Sequence, residues 1–183
     1  SLNRLGDSVF IRPSHSGNGA GMDWKTLFFS FDGRIGRRTW WLASIVLLSS
    51  AVVLTSLVNP RSWIGAPPNA ADTLLSLALI IPETAVSVKR FNDRDWPQWI
   101  PYGFAVIVVV TTLLLHFRLI LERNPPTSAD AMIVAAVVSM IAFVIIDNGL
   151  LRGTIGANRY GADPLQPEPD AAASDQGKKP HAA

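Results

Sequence analysis

Four apolar stretches divide this chain, and its lysines and arginines crowd onto alternate connections between them. That pattern limits the fold more than any single motif does. No Asp, Glu, Lys or Arg occurs in 39–60, 96–117 or 131–146. The chain is 183 residues long, 49% hydrophobic and only 16% charged, whereas soluble domains carry about 25% charged residues. A bilayer core is about 30 Å thick, and about 20 apolar residues cross it as a helix. Backbone polar groups find no water there, so a spanning segment must satisfy them internally. The expected fold class is all-α: an integral membrane four-helix bundle with a short interfacial N-terminal helix. Run lengths argue against a soluble bundle of unusually apolar helices.

The expected spans are 40–58, 73–90, 99–119 and 129–151. The second is the least secure, because it contains Pro82 and Glu83, and a re-entrant segment is the alternative. Charge bias decides. With four spans, one side of the membrane receives nine basic residues: Lys25, Arg34, Arg37, Arg38, Lys89, Arg90, Arg94, Arg152 and Arg159. The other side receives three: Arg61, Arg118 and Arg123. With three spans the split is six against six. Only the four-span arrangement obeys the positive-inside rule, which places both termini in the cytoplasm. Trp40, Trp41, Trp96 and Trp99 then fall at cytoplasmic interfaces, where amphipathic rings are favoured.

Residues 1–21 are polar and without periodicity, and are expected to be a disordered extension. Met22 is either the natural start or simply the residue that follows a disordered tail. No short apolar region with a cleavage site precedes the first span, so that span reads as a retained anchor. Trp24, Leu27, Phe28 and Phe31 then recur on one helical face, with Asp23 as N-cap and Gly33 as stop. This helix is too short to span. It is expected to lie in the interface with its aromatic face in the acyl boundary. The membrane domain is expected to run over 22–165. Residues 166–183 are rich in Pro, Ala and charge, and read as a disordered tail.

Inside the membrane, Glu83 stands out, because an ionisable group there is costly and marks function by default. Pro82 beside it removes a helix donor. Two readings stay open: a proton or cation site, or a kink in which Arg90 snorkels back to pair with Glu83. Asp147 is placed near the end of the last span, to pair with Arg152 or a basic residue of another loop. Ala131, Ala135 and Ser139 follow small-xxx-small spacing, which suits close packing within the bundle or between copies. His116 has no partner motif, so no metal is assigned. With no cysteine in the chain, thiolate sites and disulfides are excluded.

Three motif-like segments remain, and all fall on the cytoplasmic side of this topology. They are FFSFDGRIGRRTWW over 28–41, VSVKRFNDRDWPQW over 86–99 and GTIGANRYGADP over 153–164. The glycines of the last match no phosphate loop, since no G-K-[ST] follows and no strand precedes. Arg90 and Asp93 are spaced to pair if their helix continues.

Together, in this order and around four spans, the three segments resemble the bacterial inner-membrane family catalogued as domain of unknown function 805. Phe31, Gly33, Arg34, Arg37, Trp40 and Trp41 match its F-x-G-R-x-x-R-x-x-[YW]-W segment. Arg90, Asp93 and Trp99 fit its central R-R-L-H-D motif and the tryptophan-containing stretch behind it. Lys89 replaces an Arg there, Phe91 a Leu and Asn92 the His, so histidine chemistry loses its side chain in this member. Gly156, Asn158, Tyr160, Gly161, Asp163 and Pro164 match the closing G-x-N-x-Y-G-x-D-P. The resemblance implies a small polytopic inner-membrane protein and supplies no activity.

The expected site is a cluster on the cytoplasmic face: Asp32, Gly33, Arg34, Arg37, Arg38, Lys89, Arg90, Asn92, Asp93, Trp99, Asn158, Arg159, Tyr160 and Asp163. It is either a recognition site for an anionic head group or a protein partner, or a salt-bridge lattice that ties loops to the bundle. The expected function is non-enzymatic binding of membrane lipid or a partner, without cofactor or nucleic acid. A homo-oligomer is the other possible partnership. A small oligomeric carrier using Glu83 is the alternative, and a lipid-modifying enzyme lacks a nucleophile–base pair. Reporter fusions test the topology. A fusion after Asn92 should show cytoplasmic activity and one after Arg61 extracytoplasmic activity; the reverse at Asn92, with a cytoplasmic amino end, removes the shared face.

Overall fold

The structure, a computed structural model, describes residues 23–121 and 125–166. The expectations for 1–21, Met22, Arg123 and 167–183 lie outside those residues. The described residues form helices α1 (Trp24–Phe29), α2 (Arg37–Val58), α3 (Ala70–Asp93), α4 (Trp99–His116) and α5 (Ser128–Val144), and no named strand. A 3₁₀ turn, Ser62–Ile64, joins α2 to α3, and a π-helical turn, Ile145–Leu150, extends α5. Four helices are long and apolar enough to cross a membrane: α2, α3, α4 and α5 with its π turn. The protein is thus an all-α, multi-pass membrane protein. Leu42, Leu57, Leu74 and Met132 leave the bundle with apolar side chains bare, as a lipid-facing surface requires.

The second span is a continuous 24-residue helix rather than a re-entrant loop. It is longer than its apolar core because polar contacts hold both ends. Asn69 caps it by accepting from the Asp72 amide (2.9 Å), and the Asn59 amide donates to the Asp72 carboxylate (3.0 Å). At that same end His116 of α4 meets the Thr73 hydroxyl at 2.8 Å. Pro82 is buried within the helix. α5 starts with a capping box between Thr127 and Asp130, which satisfies amides the helix cannot pair itself.

Three sequence expectations are corrected here. α1 has six residues and ends at Ser30, not Gly33, which lies beyond it at φ +90°. Its apolar face does not simply enter the acyl boundary. Leu27 and Phe28 pack on the cluster of Ile35, Trp40, Ala43, Leu47 and Val86, and the Phe31 ring lies 6.0 Å from that of Tyr102. The ridge of Ala131, Ala135 and Ser139 is exposed, so it does not pack within the bundle. α5 instead reaches its neighbours through Phe143, whose ring lies 6.3 Å from Phe91, 5.9 Å from Phe104 and 6.0 Å from Trp96.

Trp40 is not an interfacial belt residue but part of the core, edge-on to Trp41 with centroids 5.0 Å apart. The indole N–H of Trp41 donates to the Gly149 carbonyl at 3.2 Å. A Cβ on Gly149 would come within 2.8 Å of Trp41 and 3.1 Å of Trp40, so only glycine lets the π turn rest against both rings. Gly149→Ala should destabilise the fold by about 1–3 kcal/mol through overpacking. Gly103→Ala, in α4 with no atom within 4 Å of the added methyl, should be neutral; thermal unfolding in detergent compares the two.

Candidate functional site

The motif end of the bundle is organised around the carboxylate of Asp93, the last residue of α3. Its Oδ1 accepts from Arg34 Nε (3.0 Å) and Nη2 (2.8 Å), and its Oδ2 accepts from Arg90 Nη1. All three side chains are at least 95% buried. One carboxylate between two guanidiniums leaves a net positive charge, and backbone carbonyls disperse it. Arg34 Nη1 donates to Gly156 (2.8 Å) and Gly161 (3.1 Å), and its Nη2 donates to Thr154 (2.8 Å). Arg90 Nε donates to Asn148 (2.7 Å) and its Nη2 to Leu151 (2.5 Å). Arg is suited to this because its planar fork presents five fixed donors.

Neighbouring side chains repeat the device. Lys89 Nζ donates to the Thr26 and Leu27 carbonyls of α1, the latter at 2.6 Å. Asn92 donates to Gly33 at 3.0 Å. Asn158 donates to the Asn92 carbonyl at 2.8 Å and closes a tight turn with Gly161. Tyr160 Oη donates to Trp96 at 2.8 Å. Asp163 accepts from the amides of Leu165 (2.9 Å) and Gly156 (3.0 Å), and those bonds hold its carboxyl below the ordinary carboxylate range. Arg159 lies at the rim, paired with Asp95 at 3.1 Å and over the Tyr160 ring.

Other predicted residues stand apart from this network. Asp32 is exposed and Trp99 is 72% exposed. Arg37 donates once, to Leu150 at 2.9 Å, and remains exposed, as does Arg38. These two line a cavity of about 500 Å³ with Gly36, Thr39, Pro164 and Leu165.

Several members were missed. Arg94 pairs with Asp147 (3.1 Å) and donates to the Arg152 carbonyl (2.6 Å). Asp147 therefore takes a basic residue of another loop, not Arg152. Thr154 donates through both its amide (2.8 Å) and its hydroxyl (3.0 Å) to the Asp93 carbonyl. Gly153 is needed because a Cβ there would lie 1.9 Å from Asp93 Oδ2. Gly153 was visible in sequence with Gly156 and Gly161 as a glycine that permits a tight turn, but nothing marked it as the one facing a carboxylate.

Below this network, α2, α3, α4 and α5 wall a cavity of about 340 Å³. Glu83 lines it and is exposed, ten residues before the end of α3, or about 15 Å along the helix axis. Arg90 does not snorkel back to Glu83, because its donors are committed to Asp93 and to carbonyls. Among the described residues Glu83 has no hydrogen-bond or ion-pair partner. Trp40, on the same wall, has a buried Nε1–H without a partner among them.

Residues 28–162 match the family described as "Protein of unknown function (DUF805)". The chain belongs to this family. It is also 31% identical over 135 residues to "Uncharacterized protein YiiR" of Escherichia coli strain K12, covering 74% of this chain and 86% of that protein. The YiiR protein of Escherichia coli O157:H7 matches to the same extent. No solved structure matches the chain. The matched span holds Arg34, Arg90 and Asp93 and all the carbonyl partners of the two arginines, so the buried network belongs to the part of the chain shared with the family.

Asp93→Ala would leave two buried guanidiniums without their anion. It should cost about 3–5 kcal/mol, whereas Asp32→Ala on the exposed loop should change thermal stability little; unfolding monitored in detergent separates the two.

Proposed function

We propose that this is a non-enzymatic multi-pass protein of the bacterial inner membrane, with both termini in the cytoplasm, that binds anionic lipid head groups at its motif end. The observation that carries this reading is a division among the cations. Arg34, Arg90, Lys89 and Arg94 spend their donors on Asp93, Asp147 and backbone carbonyls. Arg37 commits a single bond, to the Leu150 carbonyl, and it and Arg38 stay exposed and line a cavity of about 500 Å³ at the start of α2.

That cavity suits an anion on further grounds. Gly36 gives α2 no side-chain cap, so the first-turn amides are available to an acceptor, and the positive end of the helix dipole favours negative charge. The adjoining bundle surface is apolar, so an acyl chain can lie beside α2 while its phosphate meets the two guanidiniums. The basic-residue bias toward this side supports a cytoplasmic location, where the leaflet is anionic. The buried network then serves as the rigid platform that fixes the start of α2.

Each basic side chain near an anionic surface is worth about 1 kcal/mol. The double variant Arg37→Gln, Arg38→Gln should therefore weaken binding of phosphatidylglycerol relative to phosphatidylcholine by about tenfold or more. Native mass spectrometry of the purified full chain with both lipids reads this ratio. Equal retention of the two lipids by the unaltered protein sinks the reading.

A further inference from the structure

A second cavity lies within the bundle, and the reading of it is independent of the head-group proposal. The cavity walled by α2–α5 holds about 340 Å³, within the size range of small-molecule sites. Its lining is mostly apolar: Leu48, Ile80, Val108 and Met140 among others. Four aromatic residues, Trp40, Trp41, Phe91 and Phe104, contribute to the wall. Ser44, Thr84 and Ser87 add hydroxyls, and Glu83 is the one ionisable group in the lining.

The charge inventory says what is missing. A carboxyl group at this depth needs a counter-charge or a proton. The nearest cations along α3, Lys89 and Arg90, are turned to α1 and to the motif network. No basic side chain faces Glu83 from the lining residues of α2, α4 or α5. A positive partner for an ionised Glu83 therefore has to come from outside this bundle. A small hard metal ion fits poorly, because such ions demand a shell of six or more oxygens, and the wall offers one carboxyl group and three hydroxyls. An organic cation fits well. Its apolar body would occupy the aliphatic lining. The faces of tryptophan and phenylalanine attract positive charge, more strongly where water is excluded.

We infer that the Glu83 cavity is a binding site for a monovalent lipophilic organic cation, with the carboxylate as counter-ion and Trp40, Trp41, Phe91 and Phe104 as the aromatic wall. Charge and shape make separate contributions, so they can be removed separately. Glu83→Gln keeps the side-chain volume and deletes the charge. Met140→Trp keeps the charge and fills the cavity.

The probe is methyltriphenylphosphonium, with neutral triphenylphosphine oxide as its uncharged counterpart. Equilibrium dialysis against the full chain in phosphatidylcholine nanodiscs measures both. The unaltered protein should bind the cation saturably at one site per chain and at least tenfold more tightly than the neutral compound. Glu83→Gln should lose that preference, and Met140→Trp should lose binding of both compounds. Each variant is first checked for an unchanged unfolding temperature, and Glu83→Asp, which restores the charge, should recover the preference. Absence of saturable cation binding by the unaltered protein overturns the inference. So does undiminished cation preference in Glu83→Gln, or equal affinity for the charged and neutral compounds.

Discussion

The carboxylate of Asp93, held between the buried guanidiniums of Arg34 and Arg90, is the interaction on which the rest of this structure depends. It joins three parts of the chain that are distant in sequence: the loop before α2, the end of α3 and the segment after α5. Removing charge from water is expensive, and a buried pair recovers that cost only when geometry is good and the remaining donors are satisfied. Here carbonyls of Asn148, Leu151, Thr154, Gly156 and Gly161 take those donors. The loop after α5 leaves Leu151, Ile155 and Leu165 exposed, so apolar burial does little to hold it down. Its carbonyls serve instead, aimed at fixed cations.

The bundle below is a different kind of object. Packing among its helices is confined to a modest core around Trp40, Leu47 and Val86 and to the aromatic group at Phe143. Most of α5 shows its side chains to lipid. In a membrane this is no defect, because lipid tails are as apolar as leucine and give helices little reason to pack tightly. A polar clamp at one end and looser helices beneath it leave room for a cavity that a soluble bundle of this size would collapse around.

Much of this was legible in the amino-acid sequence, and physics explains which part. Long charge-free runs identify spans because a segment of that length and hydrophobicity can cross the bilayer as a helix. The placement of Arg34, Arg90, Asp93, Asn158 and Asp163 at one end followed from counting spans. Their partners were not legible, since a carbonyl is carried by every residue and leaves no trace in composition. Thus Arg90 was open to pairing with Glu83 by spacing, while the bonds that turn it away lie on Asn148 and Leu151. Asp147 was legible as the partner of a basic residue from another loop, which is Arg94, but the inward turn of Asp147 and Asn148 was not. They turn inward because the chain leaves α-helical register in the π turn, a change no hydrophobic period announces. The outward face of Ala131, Ala135 and Ser139 shows the converse: small residues permit close approach without requiring it.

The distances along the chain between these partners bear on how the protein is made. Arg34 bonds to groups 59, 120, 122 and 127 residues further on. During synthesis its guanidinium is therefore extruded long before any of its acceptors exist. The first three helices must reach the bilayer with their cations still hydrated at the surface, where they favour retention on that side. Only after Gly161 has left the ribosome can water be stripped from them. Topology is thus decided while the charges are wet, and is sealed when the segment after α5 arrives.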